Sequence, residues 1–109
     1  ESMSYAKNFD NPMMNGKISF TMARSHYNKS EFSESLGYIE KAIDIFQDLN
    51  NKPMLTRSFV IKSNIMLKKN DIPLAQKSLD KAKKYSRRFN TPGSDEEIDI
   101  LEKKINKCN

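Results

Sequence analysis

The chain repeats its own pattern with a period of about 40 residues, and few folds are compatible with such a repeat. When the sequence is shifted by this period, apolar residues fall on apolar residues and turn-forming residues fall on turn-forming residues. The matched sets are Tyr5, Ile45 and Tyr85; Phe9, Leu49 and Phe89; Asp10, Asn50 and Asn90; Phe32 and Ile72; Ile39 and Leu79; Ala42 and Ala82; and Lys41 and Lys81. The prolines Pro12, Pro53 and Pro92 keep the same period to within one residue. This agreement predicts one structural unit that recurs along the chain.

Each repeat is predicted to be a pair of antiparallel helices. Apolar residues recur at steps of three and four in the second half of each repeat, which is typical of an amphipathic helix. These residues are Phe32, Leu36, Ile39, Ile43 and Phe46 in the first repeat, and Ile72, Ala75, Leu79, Ala82, Tyr85 and Phe89 in the second. The predicted helices cover residues 13–28 and 31–50, then 53–69 and 71–90. The 109 residues include only three glycines, too few for a sheet protein with many tight turns.

A fifth helix is predicted over residues 94–108. Ser94 followed by Glu97 is a capping-box pattern, and the acidic residues of this first turn favour the positive end of the helix dipole. Lysines occupy the last turns, where the dipole is negative. A single narrow apolar stripe consists of Ile98, Leu101, Ile105 and Cys108. Such a helix is suited to closing the end of a stack, because its outer face is polar.

The predicted fold class is all-α: a right-handed superhelical stack of antiparallel helical hairpins forming one domain over residues 1–109. Residues 13–50 and 53–90 are the two repeats, and residues 94–108 are the closing helix. Residues 1–10 match the tail of the second helix of a repeat, so we expect them to end a preceding repeat and the chain to come from a longer array. The hydrophobic fraction of 37% is low for a compact globule and suits an open stack.

The repeat resembles the tetratricopeptide repeat (TPR) family. The residues that carry the resemblance are Ala23-Arg-Ser-His-Tyr27, Ser30-Glu-Phe-Ser-Glu-Ser35, Ile39 and Ala42-Ile43, and then Phe59, Ser63, Asn70-Asp-Ile-Pro-Leu-Ala75, Leu79 and Ala82. The chain departs from the family pattern at Ser19, Lys62 and Ser35, where an aromatic, an apolar and an alanine residue are usual. The period is near 40 rather than 34 residues. Longer repeats of this kind are typical of bacterial peptide-sensing regulators such as the Rap phosphatase group.

The resemblance implies a concave groove lined by the first helix of each repeat, where a peptide or protein segment binds. The family's groove positions fall on Lys17, Phe20, Thr21, Arg24, Tyr27 and Asn28, and on Arg57, Val60, Ile61, Asn64, Leu67 and Lys68. Steps of three and four place these residues on one face of each helix. Asn64 is suited to bonding a peptide backbone through both donor and acceptor, and Arg24, Arg57 and Lys68 to holding carboxylates. The alternative, that these are solvated polar residues, stays open for each one.

The sequence does not favour catalysis, a metal or a cofactor. Gly16, Gly37 and Gly93 are isolated and form no phosphate-binding loop. His26 has no carboxylate or thiol partner at helical spacing, so we expect it to pack, and Cys108 to be an inert thiol. A lone cysteine makes no internal disulfide, and one His with one Cys makes no zinc site. No apolar run is long enough to span a membrane, and a cytoplasmic location is expected.

The predicted function is therefore non-catalytic recognition of a peptide or protein, as part of a larger regulatory or scaffold protein. Two other readings remain open. One is homo-oligomerisation through the open repeat end at Tyr5–Phe9. The other is nucleic-acid binding by a convex basic surface made of Lys77, Lys81, Lys83, Lys84, Arg87 and Arg88. The net charge of +5 permits an acidic partner without requiring one, and lysines near a helix C-terminus also complement its dipole.

Overall fold

The structure is a computed structural model that describes the backbone of residues 11–89 and 94–108, and the side chains of residues 11–86 and 96–107. These residues form five α-helices and no strand, so the predicted all-α class is confirmed. The helices are α1 (Pro12–Asn28), α2 (Phe32–Asp48), α3 (Lys52–Lys68), α4 (Ile72–Phe89) and α5 (Ser94–Cys108). Their bounds lie within two residues of the predicted ones. The predictions for residues 1–10, including the open end at Tyr5–Phe9, and for the side chains of Ser94 and Cys108 lie outside the described residues.

The links after α1, α2 and α3 share one conformation. Ser30, Asn50 and Asn70 each adopt a positive φ, between 57° and 67°, and they are spaced 20 residues apart. At each link two backbone N–H groups reach back to carbonyls of the last helical turn; after α1, Ser30 N donates to Tyr27 O at 2.9 Å and Glu31 N donates to His26 O at 2.8 Å. This is the Schellman pattern, which satisfies carbonyls that a helix end leaves open.

The starts of α1, α3 and α4 are capped by side chains. Asn11, Asn51 and Asp71 accept hydrogen bonds from the backbone N–H three residues later, at 3.1, 3.2 and 3.3 Å. A proline follows each cap within the first turn, where its missing N–H costs nothing. Glu31, at the start of α2, makes no such side-chain bond. The repeated sequence thus specifies both the end of one helix and the beginning of the next.

The packing order places α1, α3 and α5 side by side. Each helix packs against the next one along the chain, and α1 also contacts α3, as α3 contacts α5. Within the described part of the chain, α2 and α4 make no contact with each other. The molecule therefore has one face formed by three adjoining helices and an opposite side formed by two separated ones.

Small residues allow the paired helices to approach closely. Gly16 of α1 faces the Phe46 ring of α2, and a Cβ built at Gly16 would lie 2.8 Å from Phe46 Cε1. Ser35 Oγ of α2 donates to Ala23 O of α1 at 2.7 Å, while in the second hairpin Ser63 Oγ of α3 donates to Ala75 O of α4, also at 2.7 Å. The serine that departs from the family pattern at position 35 thus has its polar group satisfied inside the core.

The largest fully buried side chains fill the interior between the helices. They are Phe46, Ile39, Leu55, Ile65, Leu79, Leu101 and Ile105. An exposed apolar stripe of Met14, Ile18 and Met22 runs along α1. The corresponding positions of α3 are less exposed: they hold Met54, which is part-buried, Ser58, which is buried, and Lys62. Lys62 forms an ion pair with Glu40 of α2. Among the described helices, none combines the length and the apolar character needed to cross the bilayer.

Candidate functional site

A continuous groove runs along the face formed by α1, α3 and α5. It consists of three adjoining depressions, of which the first and second share Arg24, Ile61 and Asn64, and the second and third share Tyr27 and Asn64. The groove residues are Phe20, Arg24, Tyr27 and Asn28 from α1, Arg57, Val60, Ile61, Asn64, Leu67 and Lys68 from α3, and Glu97, Ile100, Leu101, Lys104 and Lys107 from α5. The first depression has a volume of about 220 Å³.

The structure brings most of the predicted site residues together in this groove. Phe20, Arg24, Tyr27, Asn28, Arg57, Asn64 and Lys68 all line it, as do Val60, Ile61 and Leu67. Lys17 and Thr21 are exposed on α1 and line none of the three depressions. They share a face of α1 with the groove residues, since Lys17 lies seven residues before Arg24 and Thr21 lies seven residues before Asn28.

Sequence reasoning missed the contribution of α5, which was predicted only to close the stack. Glu97, Ile100, Lys104 and Lys107 line the groove beside residues of α1 and α3. The one available signal was Ile100, an apolar residue outside the buried stripe and 52% exposed in the structure. Single apolar residues at exposed positions are common in soluble proteins, so this signal alone did not identify the groove.

Two arginines from different helices flank one aromatic ring at the first end of the groove. The guanidinium carbon of Arg24 lies 5.9 Å from the centre of the Phe20 ring, and that of Arg57 lies 5.7 Å from it. Phe20 belongs to the hydrophobic core and is only 7% exposed, and both cations lie within cation–π distance of its ring. Among the described residues, no carboxylate lies within 4.0 Å of either guanidinium. Both arginines are exposed and keep their hydrogen-bonding capacity for another group.

Neutral polar groups occupy the middle of the groove. Asn64 Nδ2 donates one N–H to Val60 O at 3.0 Å within α3, which leaves its second N–H and its Oδ1 for a ligand. The Tyr27 ring packs edge-on against Phe32, with ring centres 5.5 Å apart. Burial raises the pKa of the Tyr27 hydroxyl above its ordinary value. The hydroxyl therefore stays protonated, and able to donate, through the neutral and mildly alkaline range.

The opposite end of the groove is lined by three lysines, Lys68 of α3 and Lys104 and Lys107 of α5. All three are exposed, and none forms an ion pair within the described part of the chain. Among the groove residues the only acidic one is Glu97, at the arginine end. The groove thus carries a positive charge at each end.

His26 has a carboxylate partner that does not lie at helical spacing. His26 Nδ1 lies 2.6 Å from Glu31 Oε1, and the imidazole ring stacks on Tyr38 with ring centres 5.2 Å apart. The turn at Ser30 brings the fifth residue along the chain back beside the helix end, a geometry that helical spacing does not cover. Glu31 precedes α2 but does not cap it, because its carboxylate contacts His26 instead. In the described part of the chain, no group of His, Cys, Asp and Glu residues is placed to hold a metal ion.

The basic surface on α4 is less free than the sequence indicated. Lys83 Nζ lies 2.6 Å from Glu102 Oε2 of α5, and Lys81 Nζ lies 5.4 Å from the centre of the Phe59 ring. Lys77 and Lys84 are exposed, whereas the side chains of Arg87 and Arg88 lie outside the described residues.

Comparisons with protein-family models, with curated proteins and with solved structures find no significant match for this chain.

Proposed function

We propose that this chain is a non-catalytic, TPR-like module, a right-handed stack of helical hairpins that binds a peptide or protein segment in the groove on its α1–α3–α5 face. The observation that carries the proposal is the groove itself. It is continuous across three helices and combines apolar, amide and cationic side chains whose binding capacity is largely unused among the described residues.

The proposed mechanism uses each kind of side chain differently. Ile61 and Leu67 offer partly exposed apolar surface that a ligand side chain would cover, which drives association. The Asn64 oxygen and the Tyr27 hydroxyl offer an acceptor and a donor to the ligand's backbone. The exposed arginines and lysines attract and orient charged groups of the ligand. The module would serve a larger regulatory or scaffold protein in the cytoplasm, as the resemblance to peptide-sensing regulators implies.

The proposal is tested by selecting ligands from a library of randomised peptides displayed on phage, with the immobilised chain as bait. Binding of the selected peptides to Arg24→Ala and Asn64→Ala variants is then measured by calorimetry. We expect each substitution to weaken binding by about fivefold or more, the loss of a contact worth about 1 kcal/mol. Lys41→Ala is the control, because Lys41 is exposed on α2, which contributes no residue to the three depressions.

Unchanged affinity in the Arg24 and Asn64 variants, or a library that yields no peptide, would refute the groove as a binding site. A circular dichroism spectrum of each variant separates lost binding from lost fold, since all described elements are helices.

A further inference from the structure

We propose that the ligand of the groove is an acidic segment in extended conformation, with carboxylates at two points about five residues apart. One point contacts Arg24 and Arg57, and the other contacts Lys68, Lys104 and Lys107. This inference rests on the proposed function and adds to it the chemistry and spacing of the partner.

The first step of the argument is charge complementarity. Five cationic side chains line the groove, against the single carboxylate of Glu97. Two lysines outside the groove have carboxylate partners, Lys62 with Glu40 and Lys83 with Glu102. The five groove cations form no ion pair with any described residue. A cleft lined by one sign of charge attracts a partner of the opposite sign and excludes a partner of the same sign.

The second step is the distance between the two charged ends. Arg57 and Lys68 lie eleven residues apart on the single helix α3. At a rise of about 1.5 Å per residue, their backbone positions are about 16 Å apart. An extended peptide advances about 3.3 Å per residue, so about five residues span this distance. The same distance would require about eleven residues of a helical ligand.

The third step favours the extended form. Between the charged ends the groove presents Tyr27, Asn28 and Asn64, two of them amides and one a hydroxyl that stays protonated. An extended backbone has free N–H and C=O groups along its length, whereas a helical ligand has already used most of them. Neutral donors and acceptors between two cationic ends therefore match an extended chain.

Glu97 lowers the affinity of the arginine end for carboxylates. Its carboxylate lines the same depression as Arg24 and Arg57. A nearby negative charge opposes an incoming carboxylate and lowers its affinity for the two arginines. Replacing Glu97 by Gln keeps the shape and removes the charge, so this variant should bind acidic ligands more tightly than the wild-type chain.

The aromatic residues of the groove argue against a single-stranded nucleic acid as the anionic ligand. Binding of single strands relies on exposed ring faces on which bases stack. The Phe20 ring is only 7% exposed, with a guanidinium carbon within 6 Å of its centre from each of two arginines, and Tyr27 packs against Phe32. The groove therefore offers cations without a stacking platform.

The test measures fluorescence anisotropy of labelled peptides in which two pairs of glutamates are separated by a variable number of neutral residues. We expect the tightest binding at a separation of about five residues and affinity that falls as salt rises. Arg57→Ala and Lys104→Ala should each weaken binding about fivefold or more, and Glu97→Gln should strengthen it. The matched controls Lys41→Ala and Lys84→Ala remove the same charge from exposed positions on α2 and α4, outside the groove, and should have little effect.

Several outcomes would overturn the inference. One is equal loss of affinity in the groove variants and in the two control variants, which would mean attraction by net charge alone. Others are an optimum near eleven residues, and tighter binding of a single-stranded oligonucleotide than of the best acidic peptide. If randomised peptides selected for groove binding are neutral or basic, the acidic partner is wrong while peptide binding stands. If no peptide of any kind responds to the groove substitutions, the proposed function itself fails.

Discussion

At the scale of single residues, two buried serines make the same contact from opposite helices. Ser35 lies on the second helix of one hairpin, and Ser63 lies on the first helix of the other. The hydroxyl of each donates a hydrogen bond to an alanine carbonyl of the facing helix, with an Oγ···O distance of 2.7 Å. The paired positions hold Ala23 with Ser35 and Ser63 with Ala75, so the alanine and the serine have exchanged places between the repeats. One small residue on each helix permits the close approach, and one hydroxyl joins the two backbones.

Removing either hydroxyl should destabilise the fold. Ser63 is fully buried, and replacing it by alanine loses a hydrogen bond worth about 1 kcal/mol. We expect Ser35→Ala and Ser63→Ala each to lower the free energy of unfolding by about this amount, measured by urea denaturation. Ser25→Ala is the control, because Ser25 is exposed on α1 and the change there only adds a few tenths of a kcal/mol of helix propensity. Equal stability changes at positions 25 and 63 would contradict this account.

At the scale of helices, the sequence predicts the bounds well because each boundary carries its own chemistry. Asn11, Asn51 and Asp71 mark helix starts with side chains suited to capping, and Asn50 and Asn70 tolerate the positive φ that ends the preceding helix. Side-chain pairs that form across a turn are harder to predict from the sequence. Helical spacing describes neighbours three and four residues apart, whereas Glu31 reaches His26 only because the intervening turn reverses the chain.

Two helical glycines should respond in opposite ways to replacement by alanine. A Cβ at Gly16 would lie 2.8 and 2.9 Å from Phe46 ring atoms, and that ring is fully buried, so it has little room to move. At Gly37 no atom lies within 4 Å of the added group apart from its chain neighbours and the adjacent backbone of α2. Alanine gains about 1 kcal/mol of helix propensity at both sites, but overpacking at Gly16 costs about 1–3 kcal/mol.

We therefore expect Gly37→Ala to raise the thermal midpoint and Gly16→Ala to lower it, both followed by circular dichroism. A comparable rise in both variants would show that α1 and α2 separate easily at this point, contrary to their close approach in the structure. The two variants serve as controls for each other, since the chemical change is the same.

At the scale of the whole molecule, the positions of the groove residues depend on how the helices dock. The faces of α1 and α3 follow from periodicity, because the repeat fixes which side of each helix meets its partner. The face of α5 is set by its contacts with α3 and α4, which no repeat in the sequence specifies. This is why Phe20, Arg24 and Asn64 were predictable as groove residues, whereas Lys104 and Lys107 were not.

The same contact pattern predicts how damage to α5 spreads. Leu101 is 1% exposed, and its replacement by alanine should cost about 2–5 kcal/mol. Since α5 contacts only α3 and α4 among the described helices, and contacts in such stacks run between neighbours, the loss of stability should fall mainly on α5.

In amide hydrogen exchange followed by NMR, Leu101→Ala should lower protection in α5 far more than in α1 and α2. Ile100→Ala, at a position 52% exposed, should leave protection unchanged. Loss of protection by the same factor in all five helices would instead mean that the stack unfolds as one unit. In that case α5, with its groove lysines, would not detach from the stack unless α1 and α3 unfolded as well.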